Sequence, residues 1–270
     1  MTNKIKDIIK IIDKINNIVI KNSGPYSSEI EEYLNRHRCR IVYQAYVIEE
    51  YLDKVENRNY KILEIGPYPG ILLGYLSYKG FIVDVIEYPR PEMSYLESVY
   101  KKLGVNKIIY HDLSSNSEIE TNYNYDIVLM FEVIEHVPAH PVKVMKKIQK
   151  IMNKNGVLFI STPNLLSSHN RIAFIKGKEP FPLYNFNTKT TKGHFREYSI
   201  NELKYILNEA NFTIMKIDEM DKEDYCKKVN ISINENIKYK IKVKLSRIFF
   251  KIIGNNSGMK QFFFVIAYKN

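Results

Sequence analysis

The spacing of apolar residues along this chain changes from a helical period to a strand period near residue 60. Isoleucines at positions 5, 8, 9, 12 and 15 form one apolar face over residues 2–20, and lysines occupy much of the opposite face. The turn residues 22–25 end this helix, and Ser27 begins a second helix that reaches about Asp53. We expect the first helix to pack on the domain or on a second subunit, as in a homodimer, with a membrane surface as the alternative.

Short apolar runs bounded by turn residues predict a set of strands. They lie at 61–65, 81–86, 107–111, 125–130, 156–162, near 212–217 and at 261–268. Helical patterns separate them, and the clearest begins at Pro141 and has its predicted C-cap at 155–156. This βα alternation predicts an α/β fold with a parallel sheet.

Two later segments depart from the regular pattern. Residues 163–197 lack strong periodicity and are too long for an ordinary connection, so we expect a functional loop there. This loop would form a substrate lid that includes Phe181, Pro182, Tyr184 and Phe186. The segment 238–253 is both basic and apolar, which predicts a solvated helix, a membrane-surface contact or a polyanion-binding segment.

Composition limits the class of protein. The 270 residues suit one domain with an extension, and an apolar fraction of 45% suffices for a sizeable core. The net charge of +10 indicates either a solvated basic face or an anionic partner such as a nucleotide-linked substrate, RNA or a membrane surface. Cys39 and Cys226 lie far apart in sequence and form no metal or redox motif, and neither a membrane-spanning run nor a signal peptide is recognisable. We therefore predict a cytoplasmic location.

The most informative segment is residues 61–70, Lys-Ile-Leu-Glu-Ile-Gly-Pro-Tyr-Pro-Gly. It predicts a strand and a glycine-bearing turn before a helix, the place where open α/β sheets bind ligands. Gly66 and Gly70 would let the backbone approach such a ligand closely. The next strand ends in Glu87, about twenty residues later, the spacing at which an acid reaches ribose hydroxyls. Because Glu64 precedes the turn, a ligand with an ammonium group and a ribose fits better than a pyrophosphate.

These residues resemble motif I of the class I S-adenosylmethionine-dependent methyltransferases. Residues 125–138 resemble the fourth strand and following turn of that family, and residues 156–164 resemble its fifth strand. Tyr68 stands where the family usually has a second glycine. The resemblance implies a Rossmann-like, mostly parallel seven-stranded sheet with helices on both faces and an antiparallel last strand. Residues 1–57 would form an N-terminal helical extension, and residues 58–270 the methyltransferase domain.

The resemblance also implies where S-adenosylmethionine binds. Glu64 and the turn would hold the methionine part, Glu87 would take the ribose hydroxyls, and Tyr88 would flank the adenine. Asp112 would accept a hydrogen bond from the adenine amino group. One cation of the second helix, which carries His37, Arg38 and Arg40, would meet the methionine carboxylate, and Arg40 is the first candidate. The predicted cofactor contacts are Glu64, Gly66, Pro67, Tyr68, Gly70, Glu87, Tyr88, Asp112, Leu113 and Glu132.

A second motif follows the fourth strand, where Glu132, Glu135 and His136 stand at i, i+3 and i+4. If a helix begins here, the three share a face and can hold a divalent cation, with His194 as a fourth ligand. The arrangement resembles two metal-assisted O-methyltransferase groups. One acts on the 3′-terminal 2′-hydroxyl of small RNAs, and the other acts on catechol-type intermediates of ubiquinone biosynthesis. The resemblance implies that the four residues bind Mg²⁺, Mn²⁺ or Zn²⁺; without a metal, His136 or His194 would be the catalytic general base.

These observations predict an S-adenosylmethionine-dependent O-methyltransferase, because the Asn/Asp-Pro-Pro-Tyr signature of amino-group methylation is absent at the fourth strand. The predicted acceptor is a small or glycan-linked hydroxyl compound, including a nucleotide-sugar of surface polysaccharide biosynthesis. An RNA 2′-O-methyltransferase is one alternative, although the sequence contains no recognisable RNA-binding module. A non-catalytic scaffold that binds the cofactor is the other, and the acids at 64, 87 and 112 argue against it.

Overall fold

The computed structural model describes residues 3–54, 59–89, 94–181, 193–232, 244–245, 247–250, 252 and 258–270. The helices named in chain order are α1 Asn3–Asn22, α2 Ser27–Leu52, α3 Ile71–Tyr78, α4 Tyr95–Lys102, α5 Pro141–Lys150, α6 Ser168–Ile175, α7 Ile200–Glu209 and α8 Lys222–Lys228. The strands are β1 Lys61–Ile65, β2 Ile82–Glu87, β3 Lys107–Tyr110, β4 Tyr125–Phe131, β5 Met152–Pro163, β6 Phe212–Met220 and β7 Phe262–Lys269.

The strands form one seven-stranded sheet in the order β3-β2-β1-β4-β5-β7-β6, with helices around it. β1 pairs in parallel with β2, and β2 with β3. β7 runs antiparallel to both β5 and β6. The predicted fold class is confirmed, including the antiparallel last strand. In sheets of this order ligands bind beyond the carboxyl ends of the strands, where the connections change direction.

The chain divides into two compact units. The first contains residues 1–112, 119–129 and 222–232, and the second contains residues 113–118, 130–221 and 233–270. The first unit therefore includes β1, β2 and β3 with the helices before and between them. The second includes the turn after β4 and the three strands β5, β6 and β7.

In the first unit, α1 packs through its apolar face on α2 and α3. Its buried residues are Ile5, Ile8, Ile12, Ile15 and Val19. A Cβ on Gly74 of α3 would lie 2.9 Å from Cγ2 of Ile15, so the glycine permits the close approach of the two helices. Burial of side chains of this size contributes roughly 1.5–3 kcal/mol each. The expectation that the isoleucine stripe packs on the domain is thereby confirmed.

The two cysteines form a disulfide that joins α2 to α8 within the first unit. Cys39 and Cys226 are both buried, and their Cα atoms lie 4.8 Å apart across a sequence separation of 187 residues. The cysteines were interpreted only as lacking a metal or redox motif, and their pairing was not predicted, because the packing of α8 on α2 brings them together and leaves no local signal. Since that interpretation supported the cytoplasmic location, the location stays a prediction.

In the second unit, α5 starts at Pro141 as predicted but ends at Lys150. The predicted C-cap at 155–156 was wrong, since β5 begins at Met152 and passes through Asn155, which has a φ of 62°. Ile151 and Met152 continue the apolar stripe of the helix, yet Met152 already belongs to β5, so the pattern alone does not show where the helix ends and the strand begins.

The region predicted to lack regular structure contains α6, which Ser167 caps by accepting a hydrogen bond from the backbone N–H of Asn170. Of the predicted lid residues, Phe181 is described, whereas Pro182, Tyr184 and Phe186 lie outside the described residues. In the described part of the chain, no helix combines the length and apolarity needed to cross a lipid bilayer.

Candidate functional site

The turn between β1 and α3 depends on its two glycines. Gly66 has a φ of 63° and donates its N–H to the carbonyl oxygen of Ile86 at 2.9 Å. Gly70 has a φ of 102°, and a Cβ there would lie 3.0 Å from side-chain atoms of both Leu103 and Tyr100. The peptide bond between Tyr68 and Pro69 is cis. Any other residue at 70 would meet both backbone strain and a steric clash.

Glu64 places a buried carboxylate directly before this turn. The backbone N–H of Leu73 in the first turn of α3 donates to it, so the carboxylate serves as a cap for a helix whose N-cap residue is glycine. The Oε2 atom is buried and has no hydrogen-bond partner among the described residues. Burial raises the pKa of Glu64 to about 8, and the negative charge of Glu87 adds to the rise, while the Leu73 N–H opposes it. A cationic group beside Oε2 would relieve this cost, and the ammonium of a methionine moiety fits that requirement.

Glu87 ends β2 as a second buried carboxylate held in a fixed orientation. Its Oε2 accepts from the Tyr100 hydroxyl at 3.0 Å, and its Oε1 accepts from the backbone N–H of Tyr88 at 3.0 Å. Burial, followed by the charge of Glu87, raises the pKa of Tyr100 well above its usual range, which keeps this hydroxyl a donor. Tyr88 itself is exposed. An oriented carboxylate at a strand end is well suited to receive two ribose hydroxyls.

The adenine contacts expected of residues 112 and 113 stay a prediction. Asp112 lies two residues beyond the end of β3 and is partly buried, and Leu113 is buried. Asp112 belongs to the first unit and Leu113 to the second.

α2 contacts the β1–α3 turn from the side of the N-terminal helices. The rings of Tyr33 and Tyr68 meet edge to face with centroids 5.3 Å apart. The centroid of the His37 ring lies 4.5 Å from that of the Tyr33 ring. Burial lowers the pKa of His37 to about 3, and the charges of Arg40, Arg36 and Lys222 add to the effect. His37 is therefore neutral near pH 7, which leaves the buried Arg40 as the better candidate for a carboxylate.

The motif after β4 does not lie on one helical face as its spacing suggested. The helix there is a 3-10 turn of only three residues, Ile134–His136. Glu132 precedes it with a φ of 55°, donates its backbone N–H to the Ser161 carbonyl at 2.9 Å and accepts from the Ser161 hydroxyl at 2.7 Å. The prediction of a shared helical face was wrong, because Glu132 has a left-handed backbone conformation and lies outside the helical turn.

Glu135, His136 and His194 do come together, with one potential ligand atom of each within 4.8 Å of the others. Glu135 is buried, and its Oε1 lies 4.0 Å from Nε2 of His136. The imidazole rings of His136 and His194 meet edge to face with centroids 5.0 Å apart. Glu132 is not a member of this group, so the geometry joins three of the four predicted metal ligands.

The backbone fixes the distant His194 beside the 134–136 turn. The N–H groups of Phe195 and Arg196 both donate to the carbonyl oxygen of Glu135, at 2.8 and 3.2 Å. In the opposite direction, Nδ1 of His136 lies 2.9 Å from the carbonyl oxygen of Gly193. These three bonds hold the loop at 193–196 in register with the turn, so the two imidazoles are positioned by main chain as well as by side-chain packing.

The same contacts determine the tautomers of both histidines. A carbonyl oxygen only accepts, so Nδ1 of His136 carries the proton that Gly193 receives. Nδ1 of His194 lies 2.8 Å from Oε1 of Glu197 and donates to this carboxylate. In the neutral form of each ring Nε2 then carries the lone pair, which is the form needed by a metal ligand or a general base.

A buried polar layer behind His194 was missed by the sequence analysis. Glu197 is buried and accepts from Nδ2 of Asn170 at 2.8 Å through its second oxygen. Asn170 also donates to the carbonyl oxygen of Asn164 at 3.1 Å. On the other side of the group, the Thr162 hydroxyl donates to Oε2 of Glu135 at 3.1 Å. The only sequence signal for Glu197 was its place three residues after His194.

Two imidazole nitrogens and one carboxylate oxygen form a donor set that suits a divalent cation. Sites with two histidines, one glutamate and open positions are typical of catalytic zinc. Magnesium prefers oxygen ligands in an octahedral arrangement, so the set fits Zn²⁺ better than Mg²⁺. The residues present therefore fit one of the divalent cations that the resemblance implied.

Similarity to known proteins was found at three levels. Residues 35–217 match the family model of a methyltransferase domain. The ubiquinone biosynthesis O-methyltransferase of Rickettsia canadensis (strain McKiel) is 26% identical over 178 residues, which cover 64% of this chain and 73% of that protein. The protein of the same name from Glaesserella parasuis serovar 5 (strain SH0165) is 30% identical over 108 residues, covering 38% of this chain and 45% of that protein.

Solved structures of similar fold cover nearly the whole chain. A S-adenosylmethionine-dependent methyltransferase from Clostridium acetobutylicum ATCC 824 superposes with a TM-score of 0.58 at 11% identity, covering 91% of this chain and 99% of that chain. A SAM-dependent methyltransferase from Archaeoglobus fulgidus superposes with a TM-score of 0.52 at 17% identity, covering 88% and 99%. At these identities the structures support the fold alone.

Proposed function

The chain belongs to the methyltransferase-domain family and is an S-adenosylmethionine-dependent methyltransferase, and we propose that it methylates one of two neighbouring hydroxyls on an aromatic acceptor. The observation that carries this proposal is the group of Glu135, His136 and His194, whose ligand atoms lie within 4.8 Å of one another. A group of this kind can hold two adjacent acceptor oxygens in one orientation through a shared cation.

The donor side of the proposed reaction uses the acids of the first unit. Glu64 would pair its buried Oε2 with the ammonium of S-adenosylmethionine, and Glu87 would accept the ribose hydroxyls. Arg40 would meet the carboxylate of the methionine part. These contacts would restrain the methionine part and the ribose of the donor, which would limit the orientations that the sulfonium methyl group can adopt.

The acceptor side uses the residues around the two imidazoles. A bound divalent cation would lower the pKa of the attacked hydroxyl and fix its neighbour. Glu135, His136 and His194 would supply its ligands, with both Nδ1 atoms already committed to Gly193 and Glu197. Without a cation, Nε2 of His136 or His194 is in the correct form to take the hydroxyl proton.

An aromatic acceptor is supported by two observations. The ring of Phe181 lies 6.0 Å from that of His194, centroid to centroid, with an interplanar angle of 31°, so a flat acceptor would find an aromatic neighbour beside the group. The relatives of similar sequence are ubiquinone biosynthesis O-methyltransferases. Neither observation favours the sugar acceptor of polysaccharide biosynthesis, so we do not retain it as the leading candidate.

The experiment that tests the proposal is a methyl-transfer assay with radiolabelled S-adenosylmethionine and matched acceptors. We expect transfer to a catechol and none to the monophenol that lacks one hydroxyl, with loss of transfer after chelation and recovery with Zn²⁺ or Mn²⁺. Equal transfer to the monophenol would contradict the two-oxygen acceptor. Transfer only to a nucleotide-sugar or to a short RNA would move the function to those acceptors. His194→Ala should lose transfer while binding S-adenosylhomocysteine normally.

A further inference from the structure

A stripe of exposed apolar side chains runs along a basic helical segment of the second unit. The described residues between 244 and 252 are helical. Leu245, Ile248, Phe249 and Ile252 are exposed to 60%, 45%, 52% and 77% respectively. Their spacing is i, i+3, i+4 and i+7, which places all four on one face of the helix. We call these four residues the exposed stripe.

The opposite face of this segment is fixed to the rest of the unit. Phe250 is buried, and the guanidinium of Arg171 in α6 lies 5.4 Å from the centroid of its ring. Arg247 forms an ion pair with Asp221, whose second oxygen accepts from the backbone N–H of Gln261 at 3.0 Å. The segment is thus anchored through one side, and its orientation keeps the exposed stripe on the outside.

The last turn of the neighbouring helix α6 also exposes apolar side chains. Phe174 and Ile175 in its last turn are exposed, and the exposed Lys176 and Lys178 follow at once. The contact between Arg171 and Phe250 joins this helix to the anchored segment. Six large apolar side chains are therefore exposed on α6 and on the helical segment that contacts it. Exposed apolar patches are typical of surfaces that bind a protein, a ligand or a membrane.

The charge of the segment identifies its partner. From 236 to 253 the sequence carries no acid, and its basic residues are Lys238, Lys240, Lys242, Lys244, Arg247 and Lys251. A second copy of the chain would bring this basic segment against itself, with like charges opposed across a two-fold interface. A nucleic acid would use the cations but has little use for exposed leucine and isoleucine, since bases stack on aromatic rings.

We propose that the exposed stripe and the end of α6 insert into the surface of an anionic lipid bilayer. The apolar side chains would lie at the boundary of the acyl chains, and the exposed Lys176, Lys178 and Lys244 would contact the lipid phosphates. Surface lysines are attracted to anionic leaflets, and this attraction weakens with salt. Two weak contributions, one apolar and one electrostatic, give the reversible attachment of a peripheral protein.

The experiment measures binding of the full chain to vesicles of phosphatidylcholine with and without phosphatidylglycerol. We expect sedimentation with the anionic vesicles and not with the neutral ones, and release at high salt. The double substitution Leu245→Ser and Phe249→Ser should weaken the vesicle affinity by about a hundredfold, or about tenfold for each side chain. Lys244→Glu should weaken it less and should reduce its salt dependence.

Met215→Ser is the matched control, because Met215 of β6 is 57% exposed and lies outside both elements. This variant should bind vesicles as the wild type does, and thermal unfolding should show all variants folded. Vesicle binding that survives the double substitution would overturn the proposal. A dimer in solution that the double substitution dissociates would also overturn it and would assign the stripe to a second copy. Binding to short RNA that the double substitution abolishes would likewise overturn it.

Discussion

Nδ1 of His194 lies 2.8 Å from Oε1 of Glu197, a carboxylate that is almost entirely buried. Because the second oxygen of Glu197 accepts from Asn170, the carboxylate is held from both sides and has little freedom to turn. The contact fixes the plane of the imidazole and keeps its lone pair on Nε2. Glu197 thus orients the ring of the predicted catalytic residue His194 without itself contacting the acceptor.

Glu197→Gln should weaken binding of Zn²⁺ by about ten- to a hundredfold, because the charged acceptor that orients His194 is lost. Chelator competition measures this affinity independently of activity, and methyl transfer should fall with it. Glu209→Gln serves as the control, since Glu209 is exposed on α7. If Glu197→Gln binds zinc as tightly as the wild type, the contact has only a structural role.

The pKa of Glu64 predicts a pH-dependent affinity for S-adenosylhomocysteine. In the ligand-free protein its pKa is raised to about 8, whereas an ammonium group would favour the ionised form. Binding should therefore release a proton, and the affinity should rise with pH by up to about tenfold per unit until about pH 8. Calorimetry between about pH 6 and about pH 9 measures this slope, and Glu64→Gln should remove it. An unchanged slope in the variant would assign the pH effect to another group.

The same group should make the ligand-free protein less stable as pH rises. Its folded pKa of about 8 lies above the ordinary glutamate pKa of 4.5, so between these values the folded state binds more protons than the unfolded state. The free energy of unfolding then falls from about pH 4.5 to about pH 8. Denaturant titrations of wild type and Glu64→Gln across this range should diverge at high pH, with the glutamine variant the more stable. Parallel curves would contradict the assigned burial.

Gly70→Ala and Gly80→Ala separate steric clash from backbone strain. Both glycines have a positive φ, 102° and 89°, but only a Cβ on Gly70 would meet neighbours, at 3.0 Å. Gly80→Ala should cost about 1–2 kcal/mol of stability from strain alone. Gly70→Ala should cost about 1–3 kcal/mol more and should also weaken cofactor binding. Urea titrations measure the difference, and equal losses would show that the turn relaxes around the added methyl group.

Cys39→Ser should lower the free energy of unfolding by about 5 kcal/mol in the chain-entropy model, because the disulfide closes a very long loop. Urea denaturation of the oxidised wild type and the variant measures this loss. The wild type in excess reductant should match the variant, and adding Cys226→Ser to Cys39→Ser should change little more. Identical midpoints for oxidised and reduced wild type would contradict a stabilising role.

Local sequence patterns were sufficient to predict much of the first unit. β1 and β2 are buried apolar runs that end beside an acid, and this pattern alone located Glu64 and Glu87. The second site was predicted less well. Glu132 has a left-handed backbone conformation, so the expected helical face does not form. Glu197 and Asn170 contribute through contacts that exist only in the folded chain. The disulfide has the same origin, since 187 residues separate its cysteines.

The position of β7 between β5 and β6 sets an order of events for the folding of the second unit. β6 precedes β7 in sequence, yet β7 is the neighbour of both β5 and β6. The β6 backbone amides that face β7 therefore cannot acquire stable hydrogen bonds until the later segment has arrived and paired. Pairing of this non-local kind is slow compared with helix formation. In pulse-labelled hydrogen exchange, β6 should gain protection together with β7 and never ahead of it.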